Sequence, residues 1–172
     1  MRSGQGLRLV TEAQGLDETA LEALRTRRDA IYDDLLAGGA RVFDGVREGL
    51  ERLASQVRLC IVTSCQPRHF ALIHRHSGLL THIERCVTSD DFSRYKPDPD
   101  PYQTALRLAG VPAGRALAAE DTPHGVRAAS GAGIACAALP TDLTSGLEFP
   151  GAAARLRSFA ELVEWVEQTI ET

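Results

Sequence analysis

From residue 57 to residue 139 the chain alternates short apolar runs with helix-patterned segments. "VRLCIV" (57–62), "RCVT" (85–88), "ALAAE" (116–120) and "IACAAL" (134–139) read as strands. Strands that are apolar on both faces belong to a parallel sheet covered by helices, and strand–helix alternation is how such a sheet is threaded. The spacing predicts helices over 67–76, 99–109, from the "DTPHG" turn to about 132, and over 159–169. Ser158 and Glu161 stand at capping-box spacing before the last of these. The expected class is α/β, with a three-layer Rossmann-like parallel sheet. Its ligands would bind beyond the carboxyl ends of the strands. "TDLTSGLEFPGAA" reads as a surface loop.

Ahead of the alternation lie two helical patterns. Leu21, Leu24, Arg28, Ile31 and Leu35 are spaced three and four apart, and all but Arg28 are apolar. They predict one apolar stripe on a helix over 17–36, with Asp17 as N-cap and Gly38-Gly39 as the stop. A second helix is expected over 46–55, with Val46, Leu50 and Leu53 on one side and Asp44 as its cap. A chain of 172 residues suits one domain with a small appendage.

The net charge of −4 argues against a general nucleic-acid binder. It leaves small phosphorylated ligands open, because the field inside a pocket can oppose the net charge. No apolar run is long enough for a bilayer, and "MRSGQGLRLV" lacks a signal-peptide core, so a cytoplasmic location is expected. The four cysteines form no C-x-x-C pair. Cys60, Cys86 and Cys136 lie in apolar runs and read as buried reduced thiols; Cys65 follows a strand end, with no activating neighbour. His69, His74, His76, His82 and His124 show no helical H-x-x-x-H spacing and read as surface residues, with His124 bordering the strand ends.

Three features stand at successive strand ends. Thr63-Ser64 follows "LCIV": a hydroxyl there, before a helix start, suits an oxyanion or a plain helix cap. Lys96 precedes Pro97, Pro99 and Pro101. Proline after it keeps Lys96 out of helical geometry, and the others stiffen the loop. A fixed ammonium suits an anionic substrate or a buried carboxylate. Glu120-Asp121 closes an apolar strand, where hard oxygen ligands suit Mg²⁺ and an aspartate also suits an N-cap.

Taken together, these motifs make the chain resemble the haloacid dehalogenase (HAD) superfamily, in its β-phosphoglucomutase-like and phosphoglycolate-phosphatase-like branch. "VTSC" looks like the second motif, "KPDPDPY" the third and "EDTPHGVRAASGAG" the fourth; "FDGVREGLERL" is similar to the lead into the second strand. The resemblance implies a Mg²⁺-dependent phosphohydrolase or phosphomutase acting on a small phosphorylated metabolite. It implies that Thr63, Ser64 and Lys96 bind the phosphate, that Thr63 and Lys96 serve catalysis, and that Asp121 with Glu120 holds the metal. It also implies a partial helical cap over 1–43 and a HAD-like core over 44–172.

The superfamily's first motif, a D-x-D-G-T run supplying the nucleophile, has no counterpart. "VFDGV" holds one acid where two are required, and "GLRLVTEAQG" holds no aspartate. The expectation is an N-terminally incomplete chain, without a nucleophile and inactive alone. The alternative is a non-catalytic phosphate-binding or protein-interaction domain derived from the same fold. Without its central first strand the sheet would have open edges. Those edges would be closed by direct pairing of the flanking strands, by "LRLV" (7–10), by upstream sequence, or by self-association.

Overall fold

The computed structural model describes residues 14–15, 17–39 and 41–171. Helix α1 (Glu18–Ala37) starts at Asp17, whose carboxylate accepts from the Ala20 amide at 2.8 Å. Its expected apolar stripe is buried only at Leu21; Leu24, Ile31 and Leu35 are exposed. The helix turns a different side to the body, where Tyr32 meets the His69 ring edge-on and Asp33 pairs with Arg68. Helix α2 (Val46–Ala54) follows, and its N-cap is Gly45 at φ 75° with no side-chain cap. The expected Asp44 cap is therefore not formed, because a residue in left-handed geometry takes the cap position instead.

The strands are shorter than their apolar runs. They are β1 (Cys60–Val62), β2 (Arg85–Val87), β3 (Leu117–Glu120), β4 (Ala135–Ala138) and β5 (Ala154–Arg155). The helices between and after them are α3 (Pro67–His74), α4 (Asp100–Ala109), α5 (Pro123–Gly131) and α6 (Phe159–Ile170), with 3₁₀ turns at Leu79–His82 and Ala113–Arg115. Ser158 caps α6, accepting from the Glu161 amide at 3.2 Å, while the Glu161 carboxylate reaches back to the Arg157 amide at 2.9 Å.

Parallel pairing is as the alternation requires, but it falls into two sheets. β1 pairs with β2 (Cys60 opposite Arg85, Val62 opposite Val87), and β3 pairs with β4, which pairs with β5. Among the described residues β1 and β3 do not pair with each other. The direct pairing that would close the sheet is thus not formed, and 7–10 lie outside the described residues. β1 and β3 carry the consequence: Cys60 and Ala119 are exposed, whereas Cys136, Ala137 and Ala138 of β4 are buried. The expected burial of Cys60 fails for this reason, since among the described residues its strand has a neighbour on one side only. Cys86 is half-buried and Cys136 buried.

Alternate residues of β4 enter opposite layers. Cys136 and Ala138 pack with Tyr102 of α4 and Val126, Ala128 and Ala129 of α5. Ala137 packs with Leu53 of α2 and Leu162, Val163 and Val166 of α6. Helices thus lie on both faces. α2 and α6 approach closely enough that a Cβ on Gly49 would stand 2.5 Å from the Phe159 ring. Helix α4 packs against β1, β2 and α5, so it spans the gap between the two sheets. Among the described residues no helix is long and apolar enough to cross a membrane.

Candidate functional site

The loop from β2 to α4 fixes Lys96 with more than proline. The Thr88 amide and hydroxyl donate to Asp91 at 2.7 and 3.1 Å, and Phe92 is buried against Val87 and Ala105. The Ser93 and Arg94 amides donate to one Asp100 oxygen at 3.0 and 2.9 Å, and the Asp100 amide donates to Asp98 at 3.0 Å. Amide donors from Arg94 and then Ser93 hold the Asp100 carboxyl below its ordinary range.

The Lys96 ammonium reaches across the gap. It donates to the Val62 carbonyl of β1 at 2.9 Å and to Glu120 Oε1 of β3. It also lies 5.0 Å from the centroid of the Tyr102 ring. The lysine side chain is 14 % exposed and the Glu120 side chain 8 %, so this is a nearly buried ion pair. The Tyr102 hydroxyl donates to the same Glu120 oxygen. Burial first, then the Glu120 charge, push the phenol well above its ordinary range, so it stays protonated and donates. Lys96 is the only lysine in the chain.

The two acids at the end of β3 part ways. Glu120 turns inward, against Gly125; a Cβ on residue 125 would stand 1.9 Å from Glu120 Oε2. Asp121 is exposed. The cap of α5 is Thr122, whose hydroxyl accepts from the Gly125 amide at 3.1 Å, so Asp121 is not the cap. For a divalent cation this leaves one exposed carboxylate, since one Glu120 oxygen takes both Lys96 and Tyr102 and the other faces the Gly125 backbone. Among the described residues no group of three His, Cys, Asp or Glu is placed to hold a metal. Mg²⁺ usually takes one or two carboxylates and completes its shell with phosphate and water, so a single Asp121 suffices for a hydrated ion.

Thr63 follows Val62 directly. Its amide donates to the Val87 carbonyl at 2.9 Å, and its hydroxyl accepts from the Cys65 amide at 3.1 Å. The hydroxyl hydrogen remains to donate. Ser64 is exposed beside it, and His124 is exposed in the first turn of α5. The expected surface placement fails for His69, 7 % exposed where α1 meets α3, and holds only partly for His74 and His82, which are half-buried. Burial raises the Cys65 thiol, and burial with the Glu120 charge pushes Cys136 up to about 12, so both stay protonated and inert.

Tyr102, Gly125, Asp98 and Asp100 were not singled out by sequence reasoning. The tyrosine closes the "KPDPDPY" run and the glycine stands in "DTPHG", so position alone was the available signal.

A family model described as haloacid dehalogenase-like hydrolase matches residues 6–139. The chain belongs to this family. Within the HAD superfamily it falls in the phosphoglycolate-phosphatase-like and β-phosphoglucomutase-like branch. CbbY of Cereibacter sphaeroides is 49 % identical over 76 residues, 44 % of this chain and 33 % of that protein. A phosphoglycolate phosphatase of Rhodospirillum rubrum is 30 % identical over 156 residues, 90 % of this chain and 65 % of that one. The chain thus spans from a third to just under two thirds of these two relatives. Among solved structures, CbbY from Rhodobacter sphaeroides in complex with phosphate matches with a TM-score of 0.75 at 30 % identity, over 86 % of this chain and 68 % of that one. A Thermotoga maritima protein assigned as a β-phosphoglucomutase matches with a TM-score of 0.78 at 26 % identity, over 98 % of this chain and 79 % of that one. The HAD fold accounts for the parallel strands, the helices on both faces and the order hydroxyl, lysine, acid pair.

Proposed function

We propose that the carboxyl ends of β1 and β3 form the phosphate site of a HAD phosphohydrolase or phosphomutase acting on a small phosphorylated metabolite. The observation that carries this reading is the Lys96 ammonium, nearly buried between two strand ends. An ammonium has three donors. Val62 and Glu120 take two, and among the described residues no acceptor takes the third, which in this reading meets a phosphoryl oxygen. Thr63 and Ser64 supply hydroxyl donors to the other oxygens. Asp121 holds a hydrated Mg²⁺, which when bound neutralises charge on the phosphoryl oxygens. The reading keeps 1–43 as a partial helical cap, whose described helix α1 packs against α3.

Phosphoryl transfer by this family's route also needs a carboxylate nucleophile, and Asp121 is the only aspartate in the described residues directly after β1 or β3. The 172 residues alone therefore bind the phosphate without turning it over. Among the described residues β1 and β3 are edge strands, which favours a second reading for the chain by itself, a non-catalytic phosphate-binding or interaction domain.

Calorimetric titration with inorganic phosphate, with and without Mg²⁺, tests the site, and p-nitrophenyl phosphate tests turnover. Binding that Lys96→Met removes and Asp121→Asn strips of its Mg²⁺ dependence supports the reading. Absence of binding by the unaltered chain sinks it. Mg²⁺-dependent turnover abolished by Asp121→Asn would remove the non-catalytic reading. A strand ending in aspartate, fused ahead of residue 1, confers turnover if the site is that of an enzyme and leaves it inert if the domain only binds.

A further inference from the structure

We propose that Tyr102 is a positioning residue for the phosphate site: its hydroxyl anchors Glu120, and Glu120 so anchored holds the Lys96 ammonium between β1 and β3. This rests on the phosphate reading above.

Tyr102 sits in the first turn of α4, with its ring packed among Val126, Ala129 and Cys136. A phenol buried there has to spend its O–H on a protein acceptor. The acceptor is Glu120 Oε1, the oxygen that also receives Lys96. The carboxylate is therefore fixed from two sides, by a neutral donor and a charged one. The backbone at Gly125 closes a third side, since a Cβ there would collide with Glu120. The ammonium is in turn fixed by Glu120, by the Val62 carbonyl and by the face of the tyrosine ring. Removing only the hydroxyl leaves the ring contact intact. Glu120 is then held by the lysine alone and draws the ammonium off Val62, away from where a third N–H meets a ligand.

Tyr102→Phe makes that change and keeps the packing. Because the chain has one lysine, its side-chain ammonium gives a single ¹⁵N signal. In the unaltered chain this signal exchanges slowly with water; in Tyr102→Phe exchange is faster. Inorganic phosphate, titrated in metal-free buffer, binds about threefold to tenfold more weakly to Tyr102→Phe, the range expected for one hydrogen bond. On a Lys96→Met background the same substitution causes no further loss, because the tyrosine acts through the lysine. Unchanged ammonium exchange, or an equal loss of phosphate binding in both backgrounds, overturns the proposal. If the unaltered chain binds no phosphate, or Lys96→Met binds too weakly to measure, the ammonium signal alone decides. If Tyr102→Phe does not fold, Glu120→Gln is read by the same measurements, with the same faster exchange expected.

Discussion

At the residue scale the site depends on what is missing from residue 125. Glu120 sits where it does because glycine leaves room for its carboxylate, 1.9 Å from where a methyl carbon would be. Gly125→Ala is therefore an overpacking change at a charged, nearly buried group. It is expected to cost about 1–3 kcal/mol in urea denaturation and to weaken phosphate binding with it. A variant as stable as the parent would show that Glu120 has a second comfortable position. The lysine is as particular. The chain has a single lysine and uses arginine at every other basic position. A compact ammonium can meet a carbonyl and a carboxylate on two strands at once, whereas a planar guanidinium needs a wider fork of acceptors. Thr63 and the acid pair stand out in the sequence because each follows an apolar run, and Lys96 because prolines follow it. Tyr102 does not, because its hydroxyl finds its acceptor 18 residues away in sequence and only the fold brings them together.

At the element scale, the loop into α4 is held by carboxylates that accept from backbone amides. Asp100 takes two amides, from Ser93 and Arg94, and its carboxyl lies below the ordinary range. A depressed folded-state value means the stabilisation is complete above the unfolded carboxylate range and is lost as pH falls through the folded one. The Ser93 and Arg94 amides should thus lose hydrogen-exchange protection on acidification, and Asp100→Asn should remove the pH dependence. Protection that is equal in both proteins across the acid range would show that proline alone orders the loop. Element existence was readable here, since long helical periodicity and apolar strand runs are strong signals. β5 was not, because Ala154–Arg155 is two residues long and its place is set by register against Ala137 and Ala138 of β4. The Asp44 cap failed for a local reason, the left-handed Gly45, and His69 was misplaced by tertiary packing against Tyr32.

At the scale of the whole molecule, two parallel half-sheets are joined without a hydrogen-bonded ladder between β1 and β3. Several contacts among the described residues span the gap, and Val62 of β1 also packs against the cluster of Tyr102, Val126 and Cys136. Helix α4 packs on β1, β2 and α5; α2 packs on α6 and on the 3₁₀ turn at Leu79–His82; and Lys96 ties Val62 to Glu120. Removing the lysine leaves Glu120 buried without its charge partner, a loss of about 3–5 kcal/mol for a broken buried pair. It also removes a direct link between the halves. Trp165, the only tryptophan, lies with the β4 half, packed near Ala137 and Leu162. The unaltered chain should show tryptophan fluorescence and far-UV circular dichroism changing together in urea, as one cooperative unit. In Lys96→Met the two transitions should separate, with ellipticity falling first. Coincident curves in Lys96→Met would mean that helices α2 and α4 couple the halves unaided.

The solitary lysine also makes the chain an unusually clean substrate for amine chemistry. Apart from the α-amino group, an acylating reagent has one amine to find in these 172 residues. That amine is nearly enclosed and tied to a carboxylate. The rate of modification at Lys96 therefore reports how often the amine leaves Glu120, read by mass spectrometry without any engineered label.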